Sequence, residues 1–117
     1  MKDKQRLFED ALALLKQLIG LSSLSKEEEF TADLIDRFFQ ERDIKTHRKG
    51  NNVWVYNAHY DITKPTILLN SHHDTVKPNT GYTRDPLAAT VEEGKLFGLG
   101  SNDAGGCLVS LIATFLY

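Results

Sequence analysis

Two amphipathic helices open the chain. Apolar residues recur at steps of three and four across residues 4–19, which predicts a helix with one buried stripe and Gly20 as its stop. After a short polar connection, Ser25 and Glu28 fit a capping box at the start of a second helix. The apolar row on this second helix consists of Phe30, Leu34 and Phe38. We expect both helices to bury these faces in one core.

From residue 44 the pattern changes to that of short strands. The runs 44–48 and 53–57 flank a turn-like tetrad and predict a β-hairpin. The runs 91–93 and 95–99 flank Gly94 and predict a second hairpin. The chain therefore combines helices with strands.

Between the two hairpins lie an apolar run and a long polar loop. Residues 66–70 are apolar without alternation, which predicts a strand covered on both faces. The polar stretch 71–90 follows, and a loop of this length is usually functional. Functional groups would then collect at the carboxyl end of the predicted strand.

The final segment, 104–117, predicts a helix that is apolar nearly all round. Such a helix belongs in an interior, and Cys107 within it is expected to be a small buried side chain rather than a nucleophile. No glycine or basic last turn closes the helix before Tyr117. We therefore expect a larger protein cut at this point; a small domain that docks the helix onto a partner is the alternative.

Composition narrows the class of protein. Of 117 residues, 41% are hydrophobic and 26% are charged, and 14 Lys+Arg against 16 Asp+Glu give a net charge of −2. That balance argues against nucleic acid as a partner, and no apolar run approaches the ~20 residues of a membrane-spanning helix. The single cysteine, Cys107, cannot form an internal disulfide. We expect a cytoplasmic protein without nucleic-acid or membrane partners.

The first candidate site follows the predicted strand. In an extended chain residues two apart share a side, so His72 and Asp74 can point together while His73 points away. A neutral imidazole is a good zinc ligand, and a neighbouring carboxylate fixes its tautomer. The alternative is a histidine that caps a turn, with Asp74 bonded to the loop backbone.

The second candidate site is the glycine-rich segment 98–106, which contains Asp103. A dinucleotide fingerprint requires glycine where Asp103 stands, and a P-loop requires Lys-Ser/Thr after its last glycine, so neither phosphate site fits. The glycines instead indicate a backbone that passes close to a metal centre, with Asp103 able to bridge two cations. As the alternative, Asp103 is a plain helix N-cap.

Together, the segments 68–76 and 98–106 resemble the two N-terminal metal motifs of the acetylornithine deacetylase/succinyl-diaminopimelate desuccinylase family of co-catalytic zinc metallohydrolases. The likeness extends over most of the chain. It implies an α/β fold, the N-terminal part of a zinc-hydrolase catalytic domain with a mixed central sheet flanked by helices. Residues 1–117 would form an incomplete domain, without the lid and dimerisation domain.

The resemblance implies a role for each matching residue. His72 would ligate one zinc ion, Asp74 would be the catalytic residue that orients His72, and Asp103 would bridge two zinc ions, with cobalt as the alternative metal. The peptide bond between Asp103 and Ala104 would be cis. Many members carry Lys-Gly two residues after the bridging Asp; this chain has Gly105-Gly106, so no role for that lysine is transferred.

The activity implied is hydrolysis of the amide bond of a small N-acyl amino acid by a homodimeric enzyme. The residues of the two motifs look most like those of the acetylornithine deacetylase-like members, which favours N-acetylornithine deacetylation in arginine biosynthesis. The alternatives are a dipeptidase or carboxypeptidase of the same family and a non-catalytic α/β protein-binding module. Family members carry the general-base Glu and further ligands after the segment present here, so we expect this chain alone to be inactive and to bind zinc weakly.

Overall fold

The computed structural model describes residues 3–117 and contains two helices, then four short strands, then a third helix. The elements are α1 (Lys4–Gly20), α2 (Glu29–Gln40), β1 (Thr46–Lys49), β2 (Asn52–Val55), β3 (Thr90–Glu92), β4 (Lys95–Phe97) and α3 (Gly106–Leu116). An irregular turn, Ser101–Gly105, leads into α3. The mixture of helix and sheet confirms the predicted α/β class.

Helix α1 forms as its pattern predicts. Asp3 caps it by accepting a hydrogen bond from the backbone N–H of Gln5 (3.0 Å). The helix ends with Gly20, where the predicted stop stands. Its buried residues lie on one stripe and are Leu14, Leu15, Leu18 and Ile19.

Helix α2 begins later than its sequence predicts. Its N-cap is Glu28, which makes no side-chain capping hydrogen bond, so the predicted capping box of Ser25 with Glu28 is wrong. The reason is a tertiary contact, because the backbone N–H of Ser25 donates to the carbonyl of Thr75 (3.1 Å) instead. This contact holds the connection before α2 outside the helix.

The buried face of α2 also differs from the predicted row. Phe30 is 66% exposed, so its expected burial is wrong, whereas Phe38 is buried. The buried residues of the helix are Thr31, Ala32, Ile35, Phe38 and Phe39. Ile35 lies at the centre of this stripe. At about 100° per residue, Phe30 lies on the other side of the helix from Ile35 and therefore faces outward.

The core lies among the three helices. Its buried side chains come from α1, α2 and α3, and they are Leu14, Leu15, Leu18, Ile19, Ile35, Phe38, Phe39, Val109, Ile112 and Leu116. Phe39 meets the rings of Phe38 and Phe115 edge-on, with centroids 5.6 and 6.0 Å away. Aromatic packing therefore joins α2 to α3.

Helix α3 buries one face rather than its whole circumference. The faces that carry Val109, Ile112 and Leu116 enter the core, whereas Cys107 is exposed. Cys107 lies two residues before Val109 and therefore about 200° around the helix from it. The predicted burial of Cys107 is thus wrong for a geometric reason. No helix in residues 3–117, α3 included, is long and apolar enough to cross a membrane.

Both predicted hairpins are present. Strands β1 and β2 pair antiparallel, with Thr46 opposite Val55, and β3 and β4 pair antiparallel, with Thr90 opposite Phe97. Within the described residues the two hairpins are separate two-stranded sheets and do not join into one mixed sheet. An isolated parallel bridge between Leu24 and Thr75 lies outside both.

The apolar run 66–70 does not form the predicted covered strand. It has no regular secondary structure, and Ile67 and Leu68 are 87% and 81% exposed. A strand needs a neighbour for its backbone hydrogen bonds, and no strand of residues 3–117 pairs with this run. The predicted strand and its burial are therefore wrong for residues 66–70.

Candidate functional site

The first candidate segment is fixed by backbone pairing rather than by a sheet. The N–H of Thr75 donates to the carbonyl of Ser23 (2.7 Å), and the carbonyl of Thr75 accepts from Ser25 (3.1 Å). Ser23 is buried, so the contact anchors this end of the segment against the connection between α1 and α2. These hydrogen bonds therefore fix the backbone position at Thr75, next to His73 and Asp74.

Side chains alternate along this segment as predicted. Nδ1 of His72 lies 2.9 Å from Oδ1 of Asp74, so these two side chains share one side. His73 points the other way, with Nδ1 2.7 Å from Oγ1 of Thr31 and Nε2 2.9 Å from the carbonyl oxygen of Asn51. Asp74 thus contacts the imidazole of His72, which differs from the turn-capping alternative.

Asp103 reaches the same place from the second segment. Its Oδ1 lies 3.0 Å from Nε2 of His72. Helix α3 begins at Gly106 without a side-chain cap, so the interpretation of Asp103 as a plain N-cap is wrong. The peptide bond between Asp103 and Ala104 is cis, as the resemblance implied.

The glycines of the second segment make room for neighbouring side chains. Gly100 has a φ of +77°, and a Cβ there would lie 2.6 Å from Cγ2 of Thr75. A Cβ at Gly98 would lie 2.4 Å from Cγ2 of Ile19 on α1. These glycines let the turn pack on the first segment and on α1, which brings Asp103 within reach of His72.

Two carboxylates act on one imidazole. A neutral ring can donate to Asp74 or to Asp103 but not to both, so the two contacts favour a proton, or another cation, at this place. Desolvation opposes the charged ring, but the hydrogen bond and charge of Asp74, with the charge of Asp103, outweigh it and raise the pKa of His72 above 6.5. The site attracts positive charge.

An open cleft of about 310 Å³ surrounds these residues. His72, Asp74 and Asp103 line it, and the long loop contributes Val76 and Tyr82. The sequence predicts that this loop is functional but does not single out Tyr82, which lies in a polar stretch without a motif. Only its place at the cleft identifies it.

The residues fit a metal ion in part. Among residues 3–117, no group of three or more His, Cys, Asp or Glu side chains is placed to hold a metal ion. The pair of donors is nevertheless suitable, because two atoms that share a tetrahedral zinc ion lie roughly 3.4 Å apart. His72 Nε2 and Asp103 Oδ1 are 3.0 Å apart, and the side chain of Asp103 is 91% exposed. The distance between these two atoms therefore fits two ligands of one metal ion.

Comparison with known proteins gives the family. No family model matches the chain. Succinyl-diaminopimelate desuccinylase of Rickettsia bellii (strain OSU 85-389) is 33% identical over 109 residues, which is 87% of this chain and 28% of the relative. The proteins of the same name from Beijerinckia indica and Magnetococcus marinus are 28% and 29% identical, each over 92% of this chain and 30% of the relative.

These alignments cover most of this chain, whereas the chain spans less than a third of the length of each relative. The motifs of this chain resemble the same family. The chain therefore belongs to the acetylornithine deacetylase/succinyl-diaminopimelate desuccinylase family of hydrolases.

Proposed function

We propose that residues 1–117 are the N-terminal part of a catalytic domain that hydrolyses the amide bond of an N-acyl amino acid with the help of metal ions. The observation that carries this proposal is the convergence of His72, Asp74 and Asp103 at one cleft. A carboxylate that bonds one nitrogen of a histidine is a common arrangement in metal sites, where the other nitrogen binds the ion.

Each residue has a distinct proposed role. His72 would hold zinc through Nε2, and Asp74 would keep the proton on Nδ1 so that the Nε2 lone pair is free. Asp103 would be a ligand of zinc as well, for which its exposed carboxylate has two oxygen atoms available. Bound zinc, or cobalt in its place, lowers the pKa of a water molecule and polarises the substrate carbonyl.

Two further residues of the cleft are proposed to contact the substrate. Val76 and Tyr82 lie on the loop side of the cleft, where they can contact the acyl group or the amino-acid part. No glutamate lines the described cleft, so the general base that the family resemblance implies is not supplied by these residues. Removal of such a base typically costs 10²–10⁴ in rate, so the chain alone should be inactive.

The acyl group separates two candidate substrates. The wording of the motifs favours N-acetylornithine, whereas the relatives in the comparisons are named for succinyl-diaminopimelate. Both are N-acyl amino acids, so the same metal-assisted amide hydrolysis serves either one. A dipeptide substrate remains the alternative within the family, and we place a homodimeric enzyme in the same proposal.

The deciding experiment starts from the gene. Sequencing the coding DNA past the Tyr117 codon should show an open frame that continues with adjacent glutamates, a further acid and a late histidine. The protein from that frame should release acetate or succinate from one of the two N-acyl substrates, and a chelator should remove the activity. A frame of that kind whose purified, metal-loaded product hydrolyses neither these substrates nor dipeptides would contradict the proposal.

One observation favours a second candidate, the non-catalytic protein-binding module. Ile67 and Leu68 are 87% and 81% exposed on a segment without regular structure. A stop codon directly after Tyr117, with no zinc binding by the chain, would favour this module over the enzyme.

A further inference from the structure

His73 stands between two candidate site residues but points away from them. Its ring lies between Oγ1 of Thr31 (2.7 Å) and the carbonyl oxygen of Asn51 (2.9 Å). Thr31 is 0% exposed on α2, and Asn51 lies in the turn between β1 and β2. The ring therefore joins a helix and a hairpin to the segment that carries His72.

The partners determine where the ring proton lies. A carbonyl oxygen only accepts, so Nε2 of His73 carries the proton, and Nδ1 of the neutral ring accepts from Thr31. The hydroxyl of Thr31 lies closer to this Nδ1 (2.7 Å) than to the carbonyl oxygen of Glu28 (3.1 Å). His72 in its neutral form has the opposite arrangement, because it donates from Nδ1 to Asp74 (2.9 Å), the nearer of its two carboxylates, rather than from Nε2 to Asp103 (3.0 Å). Neighbouring histidines thus carry their protons on different nitrogen atoms.

Within residues 3–117, the backbone hydrogen bonds to other parts of the chain that hold this segment are those of Thr75, two positions after His73. On one side, the backbone of Thr75 pairs with Ser23 and Ser25. On the other side, residues 66–70 are exposed and have no regular structure. Side chains at successive positions of an extended chain point to opposite sides, so fixing the ring of His73 also fixes the direction of His72.

We propose that His73 is a positioning residue whose hydrogen bonds to Thr31 and Asn51 fix the direction in which His72 projects toward Asp74 and Asp103. The consequence for metal binding rests on the proposed function, whereas the geometry does not. A purely structural anchor would contribute only to the free energy of unfolding. A positioning residue also determines the rotamer and the tautomer of its neighbour.

Nuclear magnetic resonance on the isotope-labelled, metal-free chain at alkaline pH tests this directly. Long-range ¹H–¹⁵N correlations identify the protonated nitrogen of each imidazole, and the nuclear Overhauser effect between the His72 ring and Asp103 reports the direction of His72. The wild type should show Nδ1–H for His72 and Nε2–H for His73. His73→Phe, which keeps a planar ring but no hydrogen bonds, should weaken the Overhauser effect several-fold and mix the tautomers of His72.

Two further variants distinguish the loss of the hydrogen bonds of His73 from a change in side-chain volume. His73→Gln offers one acceptor and one donor at similar reach and should restore most of the wild-type signature. Thr31→Val keeps the volume at that buried position and removes only the hydroxyl, so it provides the readout if His73→Phe does not fold. His59→Phe makes the same exchange at an exposed histidine and should change nothing at His72.

If His73→Phe, or Thr31→Val in its place, lowers the melting temperature but leaves the tautomer and the Overhauser effect of His72 unchanged, the proposal is overturned. Failure of His73→Gln to restore the signature that His73→Phe loses would overturn it as well. The readout needs neither zinc nor substrate. Absence of metal binding or of amide hydrolysis would therefore count against the proposed function and leave this inference standing.

Discussion

Nε2 of His72 lies 3.0 Å from Oδ1 of Asp103, although 31 positions separate the two residues in the chain. Neither residue owes this contact to a shared sheet. The pairing of Thr75 with Ser23 holds one segment, and the packing of Gly98 on Ile19 holds the other. The contact is therefore a property of the tertiary fold, and it defines the candidate site.

Removal of His72 should abolish the zinc binding of the chain. The described residues offer His72 and Asp103 as a pair of donors, so we expect binding weak enough to be lost on dialysis. Calorimetric titration with zinc should show binding for the wild type and none for His72→Ala. The control His59→Ala removes an exposed histidine outside the cleft and should bind as the wild type does. Zinc retained in stoichiometric amount after dialysis would contradict the expected weakness.

The pKa of His72 should depend on the carboxylate of Asp74. Desolvation disfavours the charged imidazole, but the hydrogen bond and charge of Asp74, with the charge of Asp103, raise its pKa above 6.5 in the metal-free chain. A raised pKa means that the fold favours the protonated ring. This contribution to stability is complete below pH 6.5 and is lost as the pH rises through the pKa in the folded state.

Asp74→Asn should therefore lower the pKa of His72 toward 6.5, as followed by the chemical shift of its ring protons. The matched control is Asp61→Asn, which removes the same charge at a residue bonded to Thr63 and away from the cleft. An unchanged titration in Asp74→Asn would show that Asp74 does not hold the imidazole.

Leu14 should be a strong contributor to stability. It is 1% exposed at the centre of the helical core, so Leu14→Ala leaves a cavity and should cost about 2–5 kcal/mol of unfolding free energy. Phe8 lies on the same helix but is 61% exposed, and Phe8→Ala should change stability by about 0.5 kcal/mol or less. Urea denaturation measures both, and equal effects would show that the core lies elsewhere.

Gly105 should not tolerate a side chain. A Cβ there would lie 2.7 Å from the carbonyl oxygen of Gly100 and 2.6 Å from Cδ1 of Leu15. Gly105→Ala should therefore cost about 1–3 kcal/mol by overpacking. At Gly20 the same Cβ would meet only the carbonyl oxygen of Leu87, at 4.0 Å, so Gly20→Ala should change stability by less than about 1 kcal/mol. Thermal unfolding of the pair gives the comparison.

Local patterns predicted the elements whose stability is local. Helix α1 and both hairpins form where the pattern placed them, because periodicity and turn residues act within a few positions. The start of α2 was missed because Ser25 bonds to Thr75, fifty positions away by number, rather than capping its own helix. Cys107 was predicted to be buried but is exposed, because α3 packs on one face only.

The sequence by itself identified His72, Asp74 and Asp103 as candidate site residues from spacing and residue type, and alternation along an extended chain already directed His73 away. Only the tertiary structure decided that Asp103 contacts His72 instead of capping α3. It also decided that Thr31 and Asn51 form hydrogen bonds with His73. It also left residues 66–70 exposed, against their apolar pattern. The physical reason is common to these cases, because a hydrogen bond or a buried face needs a partner distant in sequence, and local periodicity does not specify that partner.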